Sequence, residues 1–163
     1  MSVKQKTLMF PFSKPNETPG DPRVRKLLDQ LEIKYEFRKE VFHCIFVDSA
    51  EDDKGTVICC ICSQTHFVAG HEIREMTSPL FREGKPWTLE DLPYFLIRNR
   101  TLKIGAWAMA QTSPANTDMI PVFVLNFSGE ADAEILGHMM RSVISEVGDA
   151  QKHFSQPGSP MTL

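Results

Sequence analysis

The chain has 163 residues, 42% of them hydrophobic and 24% charged, with a formal net charge of −3. These values fit one globular domain with a sizeable core and exclude a disordered or fibrous chain. A mildly acidic sequence without a Lys/Arg cluster lacks the basic face that nucleic acid or an anionic membrane surface requires, and no run approaches the ~18 apolar residues that span a bilayer.

Residues 1–20 and 155–163, rich in Pro, Gly, Ser and Thr, read as tails on a single domain over 21–154. Pro11 interrupts the short apolar patch near the N-terminus well before a signal-peptide core is reached. A cytoplasmic protein with reduced thiols is therefore expected.

The first element is a helix over 22–32. Asp21 is a good N-cap, Pro22 suits the first helical position, and Val24, Leu27, Leu28 and Leu31 recur at helical spacing. Two extended runs follow, 35–48 with a bend at Arg38-Lys39-Glu40, and 55–68, joined by the polar loop "SAEDDKG". Residues 69–87 leave a short strand or a helical turn open. A second helix starts near Asp91 with Pro93 in its first turn and a stripe of Leu92, Phe95, Leu96, Asn99 and Leu102. A second hairpin pairs 104–110 with 119–127 across "SPANTD". The last helix carries Ile135, Leu136, Met139, Met140, Val143, Ile144 and Val147 at i, i+3/i+4, with Ser128 or Gly129 as its cap. The order is α-β-β-(β)-α-β-β-α, and such runs of strands punctuated by helices predict an α+β fold, a curved antiparallel sheet with helices packed against it.

Candidate chemistry concentrates in "VICCICS", residues 57–63, with three of the four cysteines. Cys59 and Cys62 satisfy a C-x-x-C spacing, but a zinc knuckle needs that spacing bent into a tight turn, and Val57, Ile58 and Ile61 stiffen an extended backbone. Alternation in a strand puts Cys60 and Cys62 on one face and Cys59 on the other. The expectation is buried free cysteines acting as small hydrophobes and no cofactor. The competing reading is a metal- or thiol-dependent site built from His43, Cys44, Cys60 and Cys62. Neither a P-loop nor a G-x-G-x-x-G nor a G-x-S-x-G occurs, so an enzyme is not expected. Trp87, Tyr94, Phe95 and Trp107 suit core or interface packing, with a small-ligand-sensing pocket as the alternative. Asn99, on an apolar stripe, needs partners for a buried amide and should bond the backbone of its helix terminus or of a neighbouring strand.

The second hairpin is apolar on both faces, whereas an antiparallel sheet usually leaves one face polar. Helices of this number cannot cover both, so a second subunit, a bound polypeptide or the 69–87 segment must supply the rest. The candidate binding residues are Trp107, Met109, Phe123 and Leu125.

The phrases "LLDQLEIKYEF", "LPYFLIRNRTLKIGAWAM" and "VFVLNFSGEADAEILGHMMRSVISEVG", in an order of helix, strands, middle helix, hairpin and long last helix, resemble the type III secretion chaperone-like fold, which includes the YbjN-like group of bacterial sensory transduction regulators. The resemblance implies a non-enzymatic protein-binding module, chaperone-like or regulatory, that holds a protein or peptide partner on apolar surface and forms a homodimer. The long 69–87 connection and the polar "SAEDDKG" loop depart from the compact secretion chaperones.

Overall fold

The computed structural model describes residues 20–47, 55–82, 84–112 and 118–155. Chain order is α1 (Pro22–Gln30), β1 (Tyr35–Arg38), β2 (Val41–Val47), β3 (Thr56–Val68), β4 (His71–Pro79), a 3₁₀ turn (Leu89–Asp91), α2 (Leu92–Thr101), β5 (Ala106–Gln111), β6 (Met119–Ser128) and α3 (Ala133–Ser155). The strands form a six-stranded antiparallel sheet in the order β1-β2-β3-β4-β6-β5. This is the expected α+β class. The expected tails lie outside the described residues except for Gly20 and Ser155, as do most of "SAEDDKG" and "SPANTD".

Helix α1 starts as its sequence demands, with Asp21 accepting from the Arg23 N–H and Pro22 at the first position. It stops before residue 32 because Glu32 takes φ 56°, a left-handed residue that ends helical bonding. The bend expected at Arg38-Lys39-Glu40 is a complete reversal. Lys39 and Glu40 both have positive φ, the conformation of a two-residue hairpin turn, and so divide the run into β1 and β2. The open question at 69–87 resolves into strand β4 followed by a loop.

Helix α3 is capped by Asp132, whose Oδ1 accepts the Ile135 N–H at 2.8 Å, and not by Ser128 or Gly129. Ser128 Oγ instead accepts from Glu130 N–H in the turn before it.

Partners directly opposite in an antiparallel ladder point to the same side. Phe37, Phe42, Ile61, Met76 and Leu125 face one another in register from β1 across to β6, and this side is covered. Val24 and Leu28 of α1, Phe95 of α2, and Leu136, Met140, Val143, Val147 and Ala150 of α3 bury themselves against it. Ile135 lies outside this row and is exposed. Gly105 opens β5 at φ +70°, and a Cβ there would stand 2.5 Å from the Phe123 ring, so both conformation and space call for glycine.

Among the described residues, no helix is long and apolar enough to cross a membrane.

Candidate functional site

The opposite side of the sheet carries its own row: Glu36, His43, Cys60, Thr77, Val124 and Ala106 are in register across all the strands. Around that row stand Val41 beside Cys62, Ile45 beside Ile58, and Val122 between Pro79 and Ala108. Val122 is buried, but none of these side chains belongs to the buried cluster under the helices or to the half-buried apolar residues packed on it. An antiparallel sheet with one face packed ordinarily alternates to polar on the other. Here the centre of the second face is apolar.

That arrangement corrects the candidate binding residues. Trp107, Phe123 and Leu125 are buried beneath the helices, and Met109, on the same side, is half-buried. The side chains that alternate with them are on the other side, where Ala106 and Ala108 are exposed, Val124 is half-buried and Val122 is buried. The two sides of this hairpin are similarly apolar, so the sequence alone could not assign which one the helices take.

The His43, Cys44, Cys60 and Cys62 set does not converge. Cys44 is fully buried on the covered side opposite Cys59, while the other three lie on the open side. His43 Nδ1 is 3.5 Å from Cys60 Sγ, and Cys62 Sγ is 4.0 Å from Glu75 Oε1. Among the described residues, no three His, Cys, Asp or Glu side chains are grouped to hold a metal ion. Burial pushes Cys44 up to about 12 and Cys60 up to about 11, raises Cys62, and drives Cys59 well above its usual value. The thiolate is the nucleophile and the metal ligand, and all four sites disfavour it. Burial lowers His43, which keeps the imidazole neutral.

Asn99 bonds a neighbouring strand. Its side-chain carbonyl accepts the Trp107 N–H at 2.7 Å and its amide donates to the Trp107 carbonyl at 3.0 Å. Trp107 therefore directs both backbone groups away from β6, and the Asn99 amide stands where a further strand would pair. The Trp107 indole N–H donates to Glu146 Oε1 at 2.8 Å, and Arg98 bonds both oxygens of the same carboxylate. Burial acts against the Glu146 charge, but the bonds from Arg98 and Trp107 outweigh it and hold its pKa below the usual value. The sequence reading missed Glu146, which sits on the buried side of α3; its only signal was an acidic residue among the apolar positions of that helix.

Trp87, Tyr94, Phe95 and Trp107 pack on one another together with His153 and Phe154. Phe95 is 5.0 Å from Trp107 and Trp87 is 4.9 Å from Phe154, centroid to centroid, and Tyr94 stacks on His153 at 4.4 Å. A small cleft lies elsewhere, beside α1, lined by Arg23, Leu27, Arg74, Phe127 and Leu136.

The buried charge at that cleft is structural. Between Ile61 and Thr65 the ladder bulges, so that Cys62, Ser63 and Gln64 stand against Glu75 alone. Arg74, 1% exposed, repairs the interruption: Nη1 donates to the Cys62 and Ser63 carbonyls at 2.7 and 2.6 Å, and Nη2 bonds the Asp21 carboxylate. Asp21 N–H donates to Ser63 Oγ at 2.8 Å, which ties the start of α1 to the bulge.

No family model matches this chain, and neither a curated protein nor a solved structure does.

Proposed function

We propose that the protein is a non-enzymatic binding module, chaperone-like or regulatory, that holds a polypeptide segment of a partner protein against the open face of its sheet. One observation carries the reading: an apolar sheet face of half-buried side chains around Cys60, Ile58 and Val124, outside the buried cluster. Apolar patches of this kind on a folded domain mark interaction surfaces. The raised thiols and the divergent His43, Cys44, Cys60 and Cys62 set support binding over chemistry. The resemblance to the type III secretion chaperone-like fold and its YbjN-like group accords with this reading and implies a cytoplasmic, bacterial setting.

Two native cysteines on the face serve as reporters. Peptides selected from a displayed random library should bind the wild-type chain, lose affinity for a Val124→Glu variant, and shield Cys60 and Cys62 from alkylation. Peptides that bind Val124→Glu equally well and leave Cys60 and Cys62 unshielded would overturn the reading. One tightly held metal per chain, displaced by Cys60→Ser, would replace it with the metal site.

A further inference from the structure

We infer that the open sheet face takes a basic segment of its partner, an extended apolar run flanked by Lys or Arg, whose cation meets Glu75. Given the polypeptide-binding reading of that face, on which this rests, the charge of the partner follows from one side chain.

Glu75 stands half-buried on the open side of β4, alternating with Ile73 and Thr77 on its own strand and directly opposite Asn126 of β6. On the β3 side, Cys62 Sγ is 4.0 Å from its Oε1. Thr77 belongs to the central row with Cys60 and Val124. The carboxylate is therefore a two-residue step, roughly 7 Å, from the apolar centre.

The fold leaves this charge uncompensated. Glu36, another carboxylate of the face, is held by Arg38. Arg74, next to Glu75 in sequence, points to the covered side and bonds Asp21. His43 is engaged by Cys60 on one side and by the Arg38 backbone on the other. Among the described residues, Glu75 makes no ion pair.

A half-buried carboxylate in contact with water needs nothing more. Once a polypeptide lies on the face, that water is displaced, and an ionised group covered without a partner offsets much of the apolar gain. A neutral apolar segment strands the carboxylate, and an acidic one adds repulsion. A Lys or Arg supplies a charge-assisted bond instead. Side chains on one side of an extended segment recur every second residue, so the cation belongs within about two residues of the apolar run. Glu75 thus acts against apolar segments in general and in favour of basic ones.

Peptides panned from a displayed random library on the wild-type chain should carry Lys or Arg beside an apolar run. Calorimetric titration of one such peptide should show affinity falling about tenfold with Glu75→Gln and further with Glu75→Lys, with circular dichroism unchanged. Exchanging the peptide's Lys or Arg for Glu should restore binding to Glu75→Lys. Val124→Asn, which removes apolar contact without adding charge, separates the two claims, and should weaken every peptide. If it does so while the Glu75 variants bind as the wild type does, the face holds polypeptides without this selectivity, and the basic partner alone is overturned. Binding indifferent to Val124→Asn would overturn both. An uncharged or acidic consensus, or a wild-type dimer that excludes peptide and that Val124→Asn dissolves, would likewise overturn the basic partner.

Discussion

Strand β3 carries two different surfaces on one backbone. On the covered side Cys59 and Ile61 are fully buried in a row with Phe42, Met76 and Leu125. On the other side Cys60 and Cys62 are half-buried among His43, Thr77, Val124 and Ala106. Both sides are apolar, but they differ in shape. Long side chains interdigitate with helices at near-crystalline density, whereas short and β-branched ones make a low, even surface. The first kind fixes the fold. The second leaves room for an extended segment to lie flat.

The sharpest way to break the comparison is at the charged residue of the covered side. Arg74→Ala leaves the Cys62 and Ser63 carbonyls without their side-chain donor and the Asp21 carboxylate with Arg23 alone, and should cost about 3–5 kcal/mol in chemical denaturation. The same variant should be more acid-sensitive. Burial tends to raise the Asp21 carboxyl, but hydrogen bonds from Arg23 and Arg74 outweigh it and hold the pKa at about 2, against an ordinary 3.8. A depressed carboxylate stabilises the fold above pH 4 and loses that contribution as pH falls toward 2. Losing Arg74 shifts this window upward, read as a higher acid midpoint by circular dichroism.

A smaller contrast comes from neighbouring positions of β6 that point to opposite sides. Leu125→Ala should cost about 2–5 kcal/mol through lost burial and a residual cavity, while Val124→Ala should cost under about 1 kcal/mol. Equal melting shifts would mean that the open side is packed as firmly as the covered one. The smallest effect is on reactivity alone. In the folded protein at mildly alkaline pH, mass spectrometry should find Cys60 and Cys62 alkylated before Cys44 and Cys59, with all four reacting together once the chain is denatured.

Helices α1 and α3 were legible because both announce themselves locally, by Asp21-Pro22 and by a long apolar period. The division between β1 and β2 was not, because the two-residue turn uses Lys39 and Glu40 where Asn or Gly would be its usual signal. Strand β4 was hidden for another reason. Its covered positions include Arg74 and Ser78 beside Met76 and Leu80, so a buried cation breaks the two-residue apolar period. That cation answers to a bulge in β3, a long-range cause that no local pattern can encode. The cysteine alternation read directly from "VICCICS" matches the observed faces. Which face the helices cover is decided by the volume of whole rows, and so Trp107, Phe123 and Leu125, named from the sequence as candidate binding residues, lie buried under the helices.

The Asn99 amide on Trp107 bears on how far the sheet can grow. A sheet edge is a template, and proteins blunt it with short strands, charges or proline. At one edge β1 does so by being short and carrying the Glu36–Arg38 ion pair. At the other, β5 reads "AWAMAQ", without charge or proline. There a side-chain amide of the same chain occupies the outward N–H and C=O of Trp107, and a foreign strand arriving at that point finds its pairing partners taken. Strand-to-strand addition propagates without limit and leads to fibres. By closing the edge with a residue of α2, the chain removes a template on which open-ended polymers would grow.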